Sequence, residues 1–509
     1  MAKLFSWFKS KSCKCPCWVD VRAYGAKGDG VTDDTAAIGM AIKALPPEGG
    51  IVCIPPGKYV IASLVIPTGV YLRGAGMWST VLKHSPNAKD HMLKSSGNFT
   101  IEGFTIDGNK SSQPVKDGTQ DGKVDTIYYD GTGGQLFLAQ NNLFKNTAQS
   151  AIECVNLSGE FKVLDNQFRD FGFKPFYSSD PALVRVPLAI YLNHGNQGQI
   201  LISRNSLIKS ISDPQGGGIM LNAQEGNYHS AMITDNYFEH VGLSNENGSG
   251  SIDLYNFIHR TIITGNRFYN LTYAAIKVAN SAELVIANNV IYKDDQEAPL
   301  KHKAAAIFHS GCVRYENCGG GPWHNVVISG NVVKDWSGDF GIYVTGHATD
   351  LTKRVHRHLI SNNIIDNAKG GIELYGVHDA VLEGNSIHGT SDPTIYGGGI
   401  HILNSSGIIN IRGGEIISNA SYGIFGQTKL SGSDIIVQNV TLSANKPNHI
   451  RLDGASSVQI SNNRFKGEKI PPIFLIKIIN AWLFGNVADN TKNSLGVTKL
   501  HDVGNSWNL

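Results

Sequence analysis

The feature that most constrains the fold is a short strand–turn–strand pattern that recurs along the chain and is clearest at residues 370–385. Residues 372–375 alternate apolar and polar side chains, as a half-buried strand does. Residues 380–383 form a second such run, which ends in Gly384 and Asn385. A unit this small cannot bury its own apolar face, so repetition predicts that neighbouring units stack into a solenoid.

The first recurring position is an asparagine, or its equivalent, that directly follows an apolar strand. Its smallest spacings are 22–24 residues, with longer intervals wherever the chain carries an insertion. This spacing is typical of one coil of a β-helix. We expect the amides to stack inside the turn, each bonding the next coil, and the apolar residue two places on to stack in the interior. The positions are Asn142, Asn166, Asn205, Asn236, Asn266, Asn289, Asn331, Asn363, Asn385, Gly414, Val440, Asn463 and Asn486.

The second recurring position is an isoleucine that points inward and is followed by a residue that points outward. Because coils lie about 4.8 Å apart, the outward residues are predicted to form a column on one face. That column comprises Glu153, Tyr191, Met220, Asp253, Lys277, Phe308, Tyr343, Glu373, His401, Phe425 and Arg451. A second column beside it comprises Asn193, Asn222, Tyr255, Ser310, Thr345, Tyr375 and Asp453.

Long insertions mostly precede the strand that carries these columns. They occupy residues 171–187, 211–217, 241–250, 293–303 and 390–398, and a further one at 311–323 follows the strand. Loops stacked on one edge of a solenoid form a wall, and the columns would be the floor of the resulting groove. Aromatic and carboxylate side chains on such a floor favour a sugar ligand, although an ordinary solvated face has the same mixed charge. The candidate binding residues are Tyr191, Tyr255, Lys277, Phe308, Tyr343 and Tyr375.

Candidate catalytic groups follow from what cleavage of a glycosidic bond requires. Hydrolysis uses two carboxyl groups, about 5 Å apart for retention and about 6.5–9.5 Å apart for inversion. Asp253 pairs most naturally with Glu225 or Glu246 from neighbouring loops. Glu373 has Tyr343 and His401 on the coils either side and Asp392 in the loop that enters the next coil. A lyase would instead use Lys277, His401 or Tyr343 as its base.

Composition excludes several other classes of protein. The net charge of +2 argues against a nucleic-acid partner, and no apolar run is long enough to span a membrane. The seven cysteines do not describe a disulfide framework; Cys53 and Cys154 read as buried thiols, while Cys312 and Cys318 could pair. Residues 1–18 lack the features of a secretory signal and are predicted to be an anchor or docking peptide. No metal or cofactor is expected, although Cys13, Cys15 and Cys17 could bind a soft metal.

The start of the solenoid is predicted to be closed by an α-helix. Thr32 is a plausible N-cap, acidic residues follow it in the first turn, and Pro46 stops the helix. Residues 24–35 read Tyr-Gly-Ala-Lys-Gly-Asp-Gly-Val-Thr-Asp-Asp-Thr, and residues 54–59 and 72–76 read Ile-Pro-Pro-Gly-Lys-Tyr and Leu-Arg-Gly-Ala-Gly. This opening resembles the pectate-lyase-like superfamily of right-handed, single-stranded parallel β-helix proteins. We therefore expect a helix-capped start at residues 19–95 and a β-helix over 96–509.

The resemblance implies a protein that acts on polysaccharides, most like a phage tailspike depolymerase. It implies a bacterial capsular, exo- or lipopolysaccharide as partner, a homotrimer, and contact with other phage tail proteins through the N-terminus. The location would be the virion, or the medium after lysis. A lyase or epimerase on uronates and a non-catalytic receptor-binding spike remain open.

Two specific family patterns are missing. The Asp-Pro-His-Glu motif of mannuronan epimerases is absent from the corresponding residues 150–154, and residues 346–348, Gly-His-Ala, only partly match the Gly-His-Gly of polygalacturonases. Near the end of the chain, residues 470–479 are apolar on both faces. This stretch is predicted to pack on a neighbouring subunit or under a terminal cap that carries Trp482 and Trp507.

Overall fold

A computed structural model describes most of the chain. It covers residues 18–113, 124–172, 188–193, 198–210, 216–223, 230–242, 249–255, 258–293, 304–311, 324–346, 355–394, 398–427, 433–467, 473–488, 494–503 and 506–507. Several predictions fall outside these residues. They concern Glu225, Glu246, the anchor up to residue 17 with its three cysteines, the pair Cys312 and Cys318, and most of the predicted loop wall.

From residue 64 onward, each coil in the described part of the chain contributes strands to three parallel sheets, and this confirms the predicted β-helix. The connections run from the first sheet to the second, then to the third, and on to the first sheet of the next coil. A right-handed turn is the handedness that strand twist favours for parallel connections.

The strands of the first sheet carry the predicted columns. They are Leu64–Ile66, Leu93–Ser95, Ile127–Asp130, Ile152–Val155, Leu188–Asn193, Gly217–Asn222, Ile252–Tyr255, Ile276–Ala279, Ile307–Ser310, Phe340–Thr345, Gly370–Tyr375, Ile400–Leu403, Ile424–Gln427 and Ile450–Asp453. The long strand Ile473–Phe484 completes both this sheet and the second, and Ser494–Val503 pairs with it.

The second and third sheets complete each coil. The second sheet comprises Trp18–Asp20, Gly50–Ile54, Val70–Gly74, Phe99–Glu102, Leu136–Gln140, Glu160–Leu164, Gln199–Ser203, Ser230–Thr234, Thr261–Thr264, Leu284–Ala287, His324–Ser329, Val355–Ser361, Val377–Glu383, Ser406–Arg412, Ser433–Gln438 and Ser457–Ser461. The third comprises Asp29–Asp33, Gly57–Ile61, Thr80–His84, Thr105–Asp107, Leu143–Lys145, Gln167–Arg169, Ser206–Ile208, Tyr237–Glu239, Arg267–Tyr269, Val290–Tyr292, Val332–Lys334, Ile364–Asp366, Ser386–His388, Glu415–Ile417, Thr441–Ser443, Arg464–Lys466, Val487–Ala488 and Ser506–Trp507.

The α-helix at the start spans Thr35–Lys43 and buries Ile38, Ala41 and Ile42 against the first coils. The predicted N-cap was wrong, because Thr32 lies in the strand Asp29–Asp33 and Asp34 occupies the N-cap position. The Asp34 carboxylate accepts backbone N–H groups of Lys27 and Gly28, at 2.7 and 3.1 Å, instead of capping the helix. Short 3₁₀ turns span Val21–Tyr24 and Lys110–Ser112. Within the described residues, no helix has the length and hydropathy needed to cross a membrane.

The asparagine ladder exists as predicted. Asn266 donates its backbone N–H and its side-chain Nδ2–H to Oδ1 of Asn289, each at 3.0 Å, and Asn289 repeats this toward Asn331. The ladder residues are buried, and the residue before each adopts a left-handed φ, as Asn288 and Gly330 do at 55° and 64°. The ladder satisfies backbone donors that the turn would otherwise leave unpaired.

Aromatic and apolar side chains fill the interior, as the periodicity predicts. Phe144 stacks on Phe168 and Phe238 on Phe268, with ring centroids 4.9 and 4.8 Å apart. Cys154 is buried as expected, whereas Cys53 is only half-buried. At the other end of the solenoid, the strand Ile473–Phe484 turns apolar side chains outward, and Ile479 and Trp482 are 52% and 38% exposed.

Two histidines also lie inside the solenoid, which the sequence patterns did not indicate. Nε2–H of His309 donates to the Ser281 carbonyl oxygen at 3.1 Å, so Nδ1 of His309 accepts Nε2–H of His358 at 3.2 Å. Burial lowers the pKa of His309 to about 4. Because this folded-state pKa lies below that of the unfolded chain, stability is lost as pH falls from about 6.5 toward 4.

Candidate polysaccharide-binding face

Strand register places the outward residues of the first sheet in one straight column. Asp253 pairs with Lys277, Lys277 with Phe308, Phe308 with Tyr343, Tyr343 with Glu373, and Glu373 with His401. We call this the floor column; it extends from Lys94 through Tyr128 and Glu153 to Arg451 and Phe474. Tyr191 and Met220 fill the positions between Glu153 and Asp253. Asn222, Tyr255, Thr345 and Tyr375 lie in the parallel side column, also as predicted.

The floor is less open than the sequence pattern implies. Asp253, Glu373 and His401 leave the strand on the side opposite the core, yet they are only 1%, 4% and 1% exposed. At His401 and Asp253 the turn that enters the strand lies against the outward side chain, and Ser249 and Gly250 of such a turn adjoin Asp253. Gly398 in such a turn contacts the His401 ring, and Phe340 lies with its ring centroid 5.7 Å from that of His401.

The first polar centre of the floor is Asp253 with Lys277. Oδ2 of Asp253 lies 3.9 Å from Nζ of Lys277, and neither carboxylate oxygen accepts a well-aligned hydrogen bond within the described residues, although the Ser249 hydroxyl and the Gly250 N–H adjoin the carboxylate. Burial raises the pKa of Asp253, and the Lys277 charge opposes that rise. A buried carboxyl group with a raised pKa can hold a proton and donate it as a general acid.

The second polar centre is Glu373 with His401. The backbone N–H of Gly398 donates to Nε2 of His401 at 3.2 Å, so that nitrogen carries a lone pair. In the neutral ring the proton is then on Nδ1, which lies 3.7 Å from Oε2 of Glu373. Glu373 therefore lies beside the protonated nitrogen of the imidazole, slightly beyond hydrogen-bond distance, a placement that resembles a general base next to a carboxylate.

Aromatic side chains separate and flank the two centres. The rings of Phe308 and Tyr343 lie 5.4 Å apart, and burial together with the Glu373 charge raises the pKa of Tyr343 to about 12. Tyr343 is therefore a hydroxyl donor at neutral pH rather than a base. The predicted binding residues Tyr191, Tyr255, Lys277, Phe308 and Tyr375 are all half-buried, so each presents part of its side chain to solvent.

The two centres are too far apart to act on one bond. Four strand steps separate Asp253 from Glu373, which is roughly 19 Å at the backbone. Asp392, in the loop that enters the next coil, lies with Oδ2 3.7 Å from Nζ of Lys369. The predicted carboxylate partners of Asp253, Glu225 and Glu246, both lie outside the described residues.

Sequence reasoning missed a cluster at the start of the floor column. The His91 ring stacks on Tyr128 with centroids 4.6 Å apart, and Nδ1 of His91 lies 3.2 Å from Oδ2 of the buried Asp125. Lys94 pairs with Tyr128 in the register and forms an ion pair with Asp90. The same apolar–polar alternation runs through residues 93–95 and 127–130, so extending the column backward would have found them.

The described residues contain no group of three or more His, Cys, Asp or Glu side chains arranged to hold a metal ion. The absence of a cofactor stays a prediction.

Comparison with family models gives two matches. A model for rhamnogalacturonase A/epimerase, pectate lyase-like proteins matches residues 18–115, and one for right-handed β-helix regions matches 188–354 and 324–492. The two ranges matched by the right-handed β-helix model together span more than half of the chain.

Curated relatives match parts of the chain. Mannuronan C5-epimerase AlgE4 of Azotobacter vinelandii is 37% identical over 114 residues, which are 19% of this chain and 21% of that protein. Mannuronan C5-epimerase AlgE5 of the same organism is 25% identical over 425 residues, 72% of this chain and 37% of that protein. The chain thus spans well under half the length of these relatives. The solved surface protein and adhesin PfbA of Streptococcus pneumoniae is 18% identical with a TM-score of 0.50, covering 83% of this chain and 99% of that one, and this likeness concerns the fold alone.

Proposed function

Because the chain belongs to the right-handed β-helix family, with a pectate-lyase-like opening, we propose that it binds and cleaves a bacterial surface polysaccharide along the floor column. The polymer would be a capsular, exo- or lipopolysaccharide, and the protein a phage tailspike-type depolymerase. The observation that carries the proposal is Asp253, a buried carboxyl group that has a raised pKa and no well-aligned hydrogen bond, in line with half-exposed aromatic rings.

In this proposal the reaction is glycoside hydrolysis. Asp253 in its protonated form donates to the leaving sugar oxygen, because burial raises its pKa. Glu225, from a loop outside the described residues, serves as the second carboxylate. Tyr191, Tyr255, Phe308 and Tyr375 stack on the sugar rings and hold the chain along the sheet, and Lys277 binds hydroxyl or anionic groups beside the cleaved bond.

One observation favours a second candidate, β-elimination or epimerisation of uronates at Glu373 and His401. The Nε2 lone pair of His401 faces only a backbone donor, and Tyr343, two strand steps away across Glu373, holds its proton to about pH 12. Base and acid would then lie on either side of Glu373, about 10 Å apart at the backbone, and His401 would remove the proton next to the uronate carboxylate.

The test uses purified host polysaccharides and three proteins: the full chain, Asp253→Asn and Glu373→Gln. Viscosity loss and new reducing ends report chain cleavage by hydrolysis or by β-elimination. Absorbance of unsaturated uronates reports β-elimination alone. Hydrolysis at Asp253 predicts reducing ends without unsaturated products, lost in Asp253→Asn and kept in Glu373→Gln. Unsaturated products that vanish in Glu373→Gln would select the second candidate. Tight binding of the host polymer with no product from any protein, and with no change in uronate stereochemistry by proton NMR, would leave a receptor-binding spike.

A homotrimer in a phage tail completes the proposal. Over six coils the second sheet turns outward an apolar column, Leu201, Met232, Ile262, Val285, Val327 and Leu359, and a column of small residues beside it, Ser203, Thr234, Thr264, Ala287, Ser329 and Ser361. We call these two columns the apolar face; they contain no charged residue, and Met232 and Ile262 are 48% and 37% exposed. Depletion of charge is typical of the centre of a subunit interface. Residues 1–18 stay the predicted attachment to other tail proteins.

A further inference from the structure

Arg451 lies in the floor column between Phe425 and Phe474 and is enclosed by aromatic rings. Its guanidinium carbon lies 5.4 Å from the ring centroid of Tyr422, 5.9 Å from that of Phe425 and 5.5 Å from that of Phe474. Nη1–H also donates to the Tyr422 hydroxyl at 2.6 Å. Three rings and one hydrogen bond hold a normally flexible side chain in one orientation, so little entropy is lost when it binds a ligand.

The charge of Arg451 is not neutralised as the other floor cations are. Lys94 is paired with Asp90 and Lys277 lies 3.9 Å from Asp253, whereas no described carboxylate lies within ion-pair distance of Arg451. In addition, its Nε–H is buried without a hydrogen-bond acceptor. Aromatic faces stabilise a cation but accept hydrogen bonds poorly, so the guanidinium keeps unused donors.

We propose that Arg451 binds an anionic substituent of the polysaccharide, a carboxylate or an ester of sulfate or phosphate, and so makes the protein selective for acidic polymers. The inference rests on the proposed function and names the substrate class for the same face. A half-exposed guanidinium with free donors matches the geometry of a carboxylate or an oxyanion, and the nearby rings exclude water around the pair.

The position of Arg451 separates recognition from cleavage. It lies two strand steps beyond His401 and seven beyond Asp253, about 10 and 34 Å at the backbone. A polymer long enough to reach from Asp253 to Arg451 would bind through its charge far from the reacting bond. Arg451 therefore acts on affinity and KM, and leaves kcat at saturating polymer unchanged.

The experiment measures binding of the full chain, Arg451→Gln and Arg451→Lys to an array of bacterial polysaccharides that includes acidic and neutral polymers. Each acidic polymer that binds is also tested after chemical reduction of its carboxyl groups. We expect binding to acidic polymers, a loss of ten-fold or more in Arg451→Gln, partial rescue in Arg451→Lys, and equally weak binding of the reduced polymer by all three. Thermal melting verifies that each variant is folded, and Arg267→Gln on the third sheet is the matched control.

Three outcomes overturn the inference. The first is binding of neutral and acidic polymers with equal affinity by the full chain. The second is a loss in Arg451→Gln that persists, with the same ratio, on the carboxyl-reduced polymer when no sulfate or phosphate is present. Either leaves the proposed function standing. The third is no binding of any polymer by the full chain, which removes the proposed function as well.

Discussion

The outer faces of the first and second sheets have the same parallel backbone geometry but differ in the polarity and burial of their side chains. On the first sheet, carboxylates, a histidine and cations alternate with aromatic rings, and the carboxylates Asp253 and Glu373 and the histidine are covered. On the second sheet, six coils of the apolar face carry aliphatic and small hydroxyl side chains, with Met232 and Ile262 well exposed.

The first sheet buries charged side chains on its outer face, whereas the second sheet exposes apolar ones. Burying Asp253 and Glu373 costs desolvation free energy that a solvated carboxylate does not lose. Exposing Met232 and Ile262 loses the stabilisation that burial of their apolar surface would give. A stack of coils held together by its asparagine ladder and interior can tolerate both. The first face therefore fits chemistry on a ligand and the second fits a partner.

The largest effect should come from the ladder that both faces share. Asn289→Ala leaves the backbone N–H of Asn266 buried without an acceptor and removes one partner each from the Asn266 side-chain amide and the Ile263 carbonyl oxygen, which should cost about 3–5 kcal/mol of unfolding free energy. Thermal or denaturant unfolding measures it, and activity and assembly should fall together. Asn222→Ala, in the side column, is the control and should cost less than about 1 kcal/mol. Equal effects would contradict the ladder's role.

The next effect should separate the faces. Ile262→Asp places a charge in the middle of the apolar face, and we expect the assembly to dissociate to monomers in light scattering while sugar binding per chain persists. Ile364→Asp, at an exposed position on the third sheet, should leave the mass unchanged. A parent chain that is already monomeric at micromolar concentration would show that this face has no second copy as partner.

A smaller effect should appear in the pH dependence of cleavage. The Lys277 charge lowers the pKa of Asp253 against the effect of burial, so Lys277→Met should raise that pKa further. Because the general acid must be protonated, the alkaline limb of the pH–rate profile should move to higher pH by about one unit. Lys369→Met, which removes the partner of Asp392, should leave the limb in place. A shift to lower pH would exclude Asp253 as the acid.

The smallest effect concerns one aromatic ring of the side column. Tyr255→Ala should weaken binding of the polymer about five-fold, the value of one lost stacking contact. Tyr269→Ala on the third sheet removes a similar ring that lies 5.5 Å from Tyr237 and should not alter binding. Calorimetric titration with one defined oligosaccharide compares the two, and equal losses would mean that the ligand does not select the first sheet.

Much of the fold could be predicted from the sequence because the recurring asparagine and the recurring isoleucine both reflect local geometry that repeats in each coil. The position of Asn289 in a turn and of Ile276 in the core follows from period-2 alternation and from a coil length near 22 residues. The helix start was wrong at Thr32 because the Asp34 carboxylate bonds to Lys27 and Gly28, contacts that no capping pattern contains. The inward histidines His309 and His358 stand at positions that the alternation directs inward, where an apolar residue would be expected.

The candidate site was predictable only as a column. Strand alternation correctly put Asp253, Tyr343, Glu373 and His401 on one face. It could not show that the entering turns cover the carboxylates, since that depends on how loops of unequal length fold back. The catalytic and binding roles stay predictions.

A crystal structure of Asp253→Asn with an oligosaccharide of the cleaved polymer would show directly where the sugar binds. We expect sugar rings that lie along the first sheet, stacked on Tyr255 and Phe308, with a glycosidic oxygen within hydrogen-bond distance of residue 253. Sugars bound on the second or third sheet, or at the floor with residue 253 still covered and untouched, would contradict this expectation.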